Sequence, residues 1–174
     1  MQHILIVGRN GVGKSTLIRA LLASANAPVY GVITKKETAR PDGSCPVYIH
    51  RYGEPERFSD ENRIGLCRDG SSTAFPEAFE RFAERMTFPR NGVIVLDELG
   101  FMESRAPRFC AAVLKTLDEA PLVIAAVRDK QTDFLNAVRT HPRASVFRID
   151  ENNRDALAGR LHMILHDAAP DWFS

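Results

Sequence analysis

Cysteine is scarce in this chain of 174 residues, and no apolar stretch is long enough to cross a bilayer. The cysteines are Cys45, Cys67 and Cys110, an odd number without the C-x-x-C spacing of zinc sites and redox motifs. We therefore expect reduced thiols in a cytoplasmic protein, with no disulfide framework and no zinc site. A secretory signal peptide is not expected, because a glycine-rich loop already begins at residue 8.

An excess of charge of one sign is missing as well. The chain has 23 basic and 22 acidic residues, a formal net charge of +1, and no basic run of five residues. Such a balance gives no electrostatic reason to expect nucleic acid or an anionic membrane as a partner. The length and the 44% hydrophobic content favour a single domain over residues 1–174.

A phosphate-binding motif stands near the start of the chain. The stretch Gly8-Arg-Asn-Gly-Val-Gly-Lys14-Ser15 has the Walker A spacing G-x-x-x-x-G-K-S, with an apolar run before it and a helical pattern after it. Its glycines allow successive backbone N–H groups to surround an anion, and the following helix points its positive end at the same place. The motif predicts that nucleoside triphosphates bind here, and the predicted nucleotide-binding residues are Gly8, Arg9, Asn10, Gly11, Val12, Gly13, Lys14, Ser15 and Thr16.

Chemistry on a bound triphosphate needs a cation, a metal ligand and a base at this site. Lys14 supplies a full charge for the β and γ phosphates, and Ser15 offers a hydroxyl to Mg²⁺. The apolar run 93–96 ends in Asp97-Glu98, a Walker B pattern, so Asp97 is expected to hold Mg²⁺ with Ser15. We expect Glu98 to accept a proton from, or to orient, the attacking water. The alternatives for Glu98 are a second metal ligand or a helix-capping acid.

Strand and helix patterns alternate along the chain, which predicts an α/β P-loop fold with a mainly parallel sheet covered by helices on both faces. Five core strands are predicted near 3–7, 29–33, 93–97, 122–127 and 145–149. Segment 29–50 is interpreted as one of these strands extended into a hairpin, with Pro46 placing the returning strand at an edge. Segment 51–71 has no clear period and is expected to be a loop with at most one short strand, or a lid over the phosphates.

The segment Asp97-Glu-Leu-Gly100 also satisfies the D-x-x-G pattern of switch GTPases. Those proteins need a guanine-reading N-K-x-D motif after a later strand, and Val127-Arg-Asp-Lys130 stands at that place without matching it. We reject the GTPase interpretation on this ground.

Four segments resemble the cancer-related nucleoside-triphosphatase family of small P-loop proteins. The stretch 97–103, followed by Ser104 and Phe109, is similar to the signature D-E-I-G-x-M-E of that family. The phosphate loop, the strand end Gly31-Val-Ile-Thr34 and the late segment Val146-Phe147 with Glu151-Asn-Asn-Arg154 are also similar to it. The resemblance implies a RecA-related α/β fold and slow, Mg²⁺-dependent hydrolysis of ATP, GTP and other nucleoside triphosphates. It adds Asn153 and Arg154 to the nucleotide-binding residues.

Two further functions and one residue assignment stay open at this level. The chain is compatible with a nucleotide or small-molecule kinase, and with a regulatory subunit whose turnover serves a protein partner. Charge on the transferring phosphoryl group needs a cation in addition to Lys14 and Mg²⁺ for fast turnover. The arginines that the sequence offers for this task are Arg105, Arg108, Arg128 and Arg154.

Weak discrimination between bases is the first prediction. The chain has no N-K-x-D and no other base-reading motif, so kcat/KM for ATP and for GTP should agree within about tenfold, which is about 1.4 kcal/mol. Steady-state phosphate release with both nucleotides measures this ratio, and a preference of about a thousandfold would reveal a specificity pocket.

Overall fold

The computed structural model describes all residues, Met1–Ser174, and is built around an eight-stranded sheet. The strands are β1 His3–Gly8, β2 Val29–Lys36, β3 Cys45–Arg51, β4 Arg63–Arg68, β5 Ser71–Ala74, β6 Val93–Leu99, β7 Leu122–Arg128 and β8 Ala144–Arg148. The helices are α1 Lys14–Leu22, α2 Pro76–Ala83, α3 Pro107–Glu119, α4 Asp133–Arg139 and α5 Arg154–Ala168, and a 3-10 turn covers Met102–Arg105. None of the helices combines the length and the apolar character that crossing a membrane requires.

The five predicted core strands form the parallel part of the sheet. Their order is β2-β6-β7-β1-β8, and every neighbouring pair in this series is parallel. The carboxyl ends of the five strands therefore lie along one edge, where ligands of open α/β sheets bind. Strand β7 separates β1, which leads into the phosphate loop, from β6, which ends in the acidic pair.

Helices cover both faces of the sheet because side chains alternate along each parallel strand. In β1, Leu5 and Val7 belong to a core that contains residues of α2, α3 and α4. Ile4 and Ile6 point to the other face and pack with α1 and α5. The same alternation in β6 and β7 makes both strands buried on both faces, which their continuous apolar runs predicted.

The antiparallel part of the sheet is larger than the sequence indicated. The predicted hairpin exists, since β2 pairs with β3 antiparallel, but β4 and β5 then continue the sheet beyond it. The placement of Pro46 at an edge was wrong, because β3 lies between β2 and β4. Proline lacks an N–H to donate, and it is tolerated near the start of a strand such as β3. Its carbonyl accepts from Glu37 N–H, just beyond the end of β2. Segment 51–71 contains β4 and reaches the first residue of β5.

Gly31 provides a test of the packing between β2 and β6. Its φ is +137°, and a Cβ placed there would lie 1.9 Å from the carbonyl oxygen of Val95. Gly31→Ala should lower the free energy of unfolding by about 3 kcal/mol or more, because backbone must move to admit the methyl group. Gly43 is the matched control, with φ +78° and open space around it, and Gly43→Ala should cost about 1 kcal/mol. Urea denaturation measures both, and equal losses would contradict the close approach.

Candidate active site

The phosphate loop connects β1 to α1 with the geometry that its glycines predict. Gly11 and Gly13 have φ of +75° and +106°, values that side-chain-bearing residues rarely adopt. Gly8 also has no space for a side chain, because a Cβ there would lie 2.8 Å from the carbonyl oxygen of Ile149. Helix α1 begins at Lys14, so its free N–H groups and positive end face the loop.

Lys14 is buried beneath the loop, with 3% of the residue exposed. Its ammonium donates to the carbonyl oxygens of Gly8 at 2.9 Å and Arg9 at 2.6 Å. It also lies 3.0 Å from Oε2 of Glu98. These three contacts satisfy the three N–H donors of the lysine and connect the phosphate loop to β6.

The two residues predicted to hold Mg²⁺ contact each other. The Ser15 hydroxyl, in the first turn of α1, donates to Oδ1 of Asp97 at 2.8 Å. Burial raises the pKa of the Asp97 carboxyl, and the hydrogen bond from Ser15 opposes this effect. A hydroxyl and a carboxylate oxygen beside an anion nest are donors of the type that Mg²⁺ prefers, so these residues fit the metal.

Glu98 lies between two cations. Its Oε1 accepts from Nε of Arg128, and its Oε2 faces the Lys14 ammonium. The ladder between β6 and β7 shifts register around Glu98, and such a bulge re-aims a side chain at the end of a strand. On the β2 side, Thr34 Oγ1 accepts from Glu98 N–H at 3.2 Å, which fixes the backbone there. The carboxylate is therefore held at the centre of the site.

Arg128, the last residue of β7, reaches toward the phosphate loop. Its Nη2 lies 3.3 Å from Oδ1 of Asn10, and its guanidinium lies 5.9 Å from the ring centroid of Phe101. The side chain is 29% exposed. Of the four arginines that the sequence offered, Arg128 alone lines the cleft at the strand ends.

The other predicted nucleotide-binding residues lie around the loop in different settings. Val12 is buried, whereas Arg9 and Thr16 are exposed. Arg9 pairs with Glu151 at 2.8 Å, which brings the loop after β8 beside the phosphate loop. Asn153 stabilises that loop, because its Oδ1 accepts from Asp150 N–H and its Nδ2 donates to the Arg148 carbonyl. Arg154 is exposed and begins α5.

A cleft of about 510 Å³ extends from the acidic pair to the β4–β5 hairpin. Glu103, one of the residues that line it, is 3% exposed, and its Oε1 accepts from Gly100 N–H at 3.0 Å. Its Oε2 is buried without a hydrogen-bond partner. Burial raises the pKa of this carboxyl to about 7, and the charge of Glu98 adds to the effect. Segment 51–71, for which the sequence predicted a loop or a lid, contributes Arg68 and Asp69 to the cleft wall.

Sequence reasoning gave no chemical role to Thr34 or Glu103. Thr34 is a polar residue at the carboxyl end of a predicted parallel strand, which is a usable signal because such ends converge on the site. Glu103 follows Asp97 by six residues in the acidic segment, but its burial depends on the 3-10 turn and on packing against α3, where Cys110 Sγ lies 3.2 Å from its carbonyl. No local pattern indicates that placement.

A parallel sheet, a glycine-rich loop at a helix start and an acidic pair on a neighbouring strand define a P-loop nucleotide-binding protein. The family model described as NTPase matches residues 3–162. The chain belongs to this NTPase family and is an NTPase enzyme, as the resemblance implied.

The chain is similar over nearly its whole length to several curated relatives. It is 28% identical to the human cancer-related nucleoside-triphosphatase, covering 90% of this chain and 92% of that protein. It is 30% identical to nucleoside-triphosphatase THEP1 of Methanothermobacter thermautotrophicus, covering 94% and 96%. The crystal structure of THEP1 from Aquifex aeolicus, 21% identical, superposes with a TM-score of 0.62 over 95% of this chain and 99% of that one. This likeness confirms the α/β P-loop fold.

The buried Glu103 carboxyl predicts a specific pH dependence of stability. In the folded protein the Glu103 carboxyl keeps its proton up to about pH 7, because its pKa is raised there. In the unfolded chain the same carboxyl releases its proton near pH 4.5. Between these values the folded state binds more protons, so this group lowers the free energy of unfolding as pH rises. Glu103→Gln removes the titration, and its stability relative to wild type should therefore increase by roughly 2 to 3 kcal/mol between pH 5 and pH 8.

Urea denaturation of both proteins at the two pH values measures this difference. Glu61→Gln is the matched control, because Glu61 is exposed and its carboxylate makes no ion pair. It gives the effect of removing one exposed carboxylate, with which the Glu103→Gln difference is compared at each pH. A Glu103→Gln difference that is equal at pH 5 and pH 8 would contradict the raised pKa.

Proposed function

We propose that this protein hydrolyses nucleoside 5'-triphosphates to the diphosphate and phosphate, with Mg²⁺ and with little selection among bases. The observation that carries the proposal is the convergence of Lys14, Ser15, Asp97 and Glu98 at the carboxyl ends of β1 and β6. Membership of the NTPase family supports it. The free cysteines support the further proposal that the protein works in the cytoplasm.

Binding depends on the phosphate loop. The backbone N–H groups between Gly8 and Lys14 and the N-terminus of α1 would surround the phosphates, and Lys14 would donate to them. Ser15 and Asp97 would hold Mg²⁺, which neutralises charge on the phosphate oxygens when bound. Because these interactions all involve the phosphates, they do not distinguish one base from another.

Glu98 is the residue proposed to activate water. In the hydrolysis step the water oxygen forms a bond to the γ-phosphorus, the bond to the β–γ bridging oxygen breaks, and Glu98 accepts the proton. Its position at the wall of the cleft, next to the Ser15–Asp97 pair, supports this assignment. A carboxylate here must be free of its cations to accept a proton, so Lys14 has to exchange Glu98 for phosphate.

Phosphoryl transfer to a small molecule is the second candidate function. The cleft is lined by both Glu98 and Glu103, and its volume of about 510 Å³ exceeds what one water needs. A bound hydroxyl compound could replace the water, with Glu98 accepting the hydroxyl proton instead.

Phosphate release across ATP, GTP, CTP, UTP and the corresponding diphosphates, with Mg²⁺ or with EDTA, tests the proposed function. The proposed function predicts that all four triphosphates release phosphate without any acceptor and that EDTA abolishes the release. Radiolabel that moves from the γ-phosphate to a component of a cellular small-molecule extract, with no release of free phosphate, would favour the kinase.

Glu98→Gln should separate chemistry from binding. Glutamine keeps the size and hydrogen-bonding reach of glutamate but cannot accept a proton, so kcat should fall roughly 10²- to 10⁴-fold, which is about 3–5 kcal/mol of barrier. Triphosphate affinity should not fall, because Lys14, Ser15 and Asp97 still contact phosphates and metal and Lys14 has no ion pair with Glu98 to break. Fluorescent-nucleotide titration and single-turnover phosphate release measure the two quantities.

Two variants calibrate this result. Lys14→Ala should lose most of the triphosphate affinity, and Asp97→Asn should weaken both Mg²⁺-dependent binding and rate. Wild-type hydrolysis by Glu98→Gln would remove the water-activating role from Glu98 and favour the kinase or regulatory function.

A further inference from the structure

The positions of the four arginines differ in a way that the sequence does not reveal. Arg108 lies on α3, where its guanidinium pairs with Glu84 at 2.9 Å. Arg105 and Arg154 are exposed and lie outside the cleft at the strand ends. Arg128 lines this cleft together with Asn10, Ser15, Asp97 and Glu98.

The strand order explains why Arg128 lies there. Strand β7 runs between β1 and β6, and its register pairs Arg128 with Gly8, the first residue of the phosphate loop. A side chain that leaves the end of β7 is therefore flanked by the phosphate loop and by the acidic pair of β6. This is the region where the γ-phosphate of a bound triphosphate would meet its attacking water.

The contacts of Arg128 orient the guanidinium and leave donors free. Its Nε donates to Glu98, and its Nη2 donates to Oδ1 of Asn10 in the phosphate loop. Nη1 has no hydrogen-bond partner in the protein. Phe101 lies beside the guanidinium, which limits the directions that the side chain can take. The arginine is thus positioned by three neighbours and still has N–H groups for an anion.

The charges around Glu98 favour a change of partner when phosphate arrives. One carboxylate faces two cations, Lys14 and Arg128. A triphosphate carries several negative charges in the same place and offers geometry that matches the planar guanidinium. Both cations can then move from Glu98 to phosphate oxygens, which leaves Glu98 able to accept a proton.

We propose that Arg128 is a catalytic residue, the arginine of this chain that contacts the γ-phosphate and neutralises the charge that develops during its transfer. The inference rests on the proposed hydrolysis and names the cation that the sequence left open. Arg128 forms no covalent bond in the step, and the proton of the attacking water goes to Glu98. An arginine supplied in cis is associated with turnover near 10⁻² s⁻¹ in related chemistry, the slow regime that the family resemblance implied.

The experiment compares Arg128→Ala, Arg128→Lys and Arg108→Ala with wild type. Single-turnover phosphate release should fall about 10²- to 10³-fold in Arg128→Ala, the usual effect of losing one transition-state donor. It should fall nearly as far in Arg128→Lys, because an ammonium lacks the planar fork. Arg108→Ala should keep the wild-type rate, since Arg108 lies on the surface with Glu84. Triphosphate affinity should fall by much less than the rate, within about tenfold or 1.4 kcal/mol, because Arg128 gives up its pair with Glu98 when it contacts phosphate.

Two measurements separate contact with phosphate from mere support of Glu98. Added guanidinium chloride should restore at least about tenfold of the lost rate in Arg128→Ala and none in Glu98→Gln. The complex of Mg²⁺-ADP with aluminium fluoride, which mimics the transferring phosphoryl group, should form with wild type and not with Arg128→Ala, although both bind ADP.

The outcomes distinguish this inference from the proposed function. If wild type releases phosphate and Arg128→Lys keeps its rate, the inference fails and hydrolysis stands. If Arg128→Ala is slow, is not rescued by guanidinium and still forms the aluminium fluoride complex, then Arg128 acts only on Glu98 and the inference also fails. If wild type releases no phosphate from any triphosphate, the proposed function fails first.

Discussion

A single carboxylate between two cations connects the three strands on which the site depends. Glu98 is carried by β6, Lys14 follows the loop after β1, and Arg128 ends β7. Burying any one of these charges alone would cost free energy. Pairing lowers that cost where the three side chains meet at the strand ends. The parallel order of β6, β7 and β1 is what brings them within reach, because all three strands end at the same edge.

The antiparallel extension gives this edge a second wall. Strand β2 pairs with the parallel core on one side and with β3 on the other, so β4 and β5 are held in the same sheet. Residues of their hairpin line the cleft together with Met102 and Glu103 of the 3-10 turn. The region that lacked a clear sequence pattern therefore shapes the space next to the acidic pair.

Much of the fold could be predicted from the sequence, because local patterns determine it. Only part of the site could be predicted in this way. The spacing of Gly8, Gly13 and Lys14 predicts the loop, and continuous apolar runs predicted the buried strands because both faces are covered. One short strand was allowed for in segment 51–71, but the bounds and the pairing of β4 were not predicted, because contacts with β3 and β5 set its structure more than its own alternation does. Of the four candidate arginines, Arg128 alone lines the cleft because the strand order places it there. The spacing of residues along the sequence does not encode this order.

The paired state of Glu98 also suggests how binding and chemistry are coupled. Lys14 and Arg128 hold the carboxylate until other anions compete for them, and a diphosphate ends before the position where the γ-phosphate would meet Arg128. On the proposed mechanism, only a triphosphate draws both cations away from Glu98. Glu98 therefore becomes able to accept a proton only when a β–γ phosphoanhydride bond is present to hydrolyse. Part of the phosphate-binding energy is then used to separate these ion pairs. On the same mechanism base selection should be weak, because the phosphates carry the recognition.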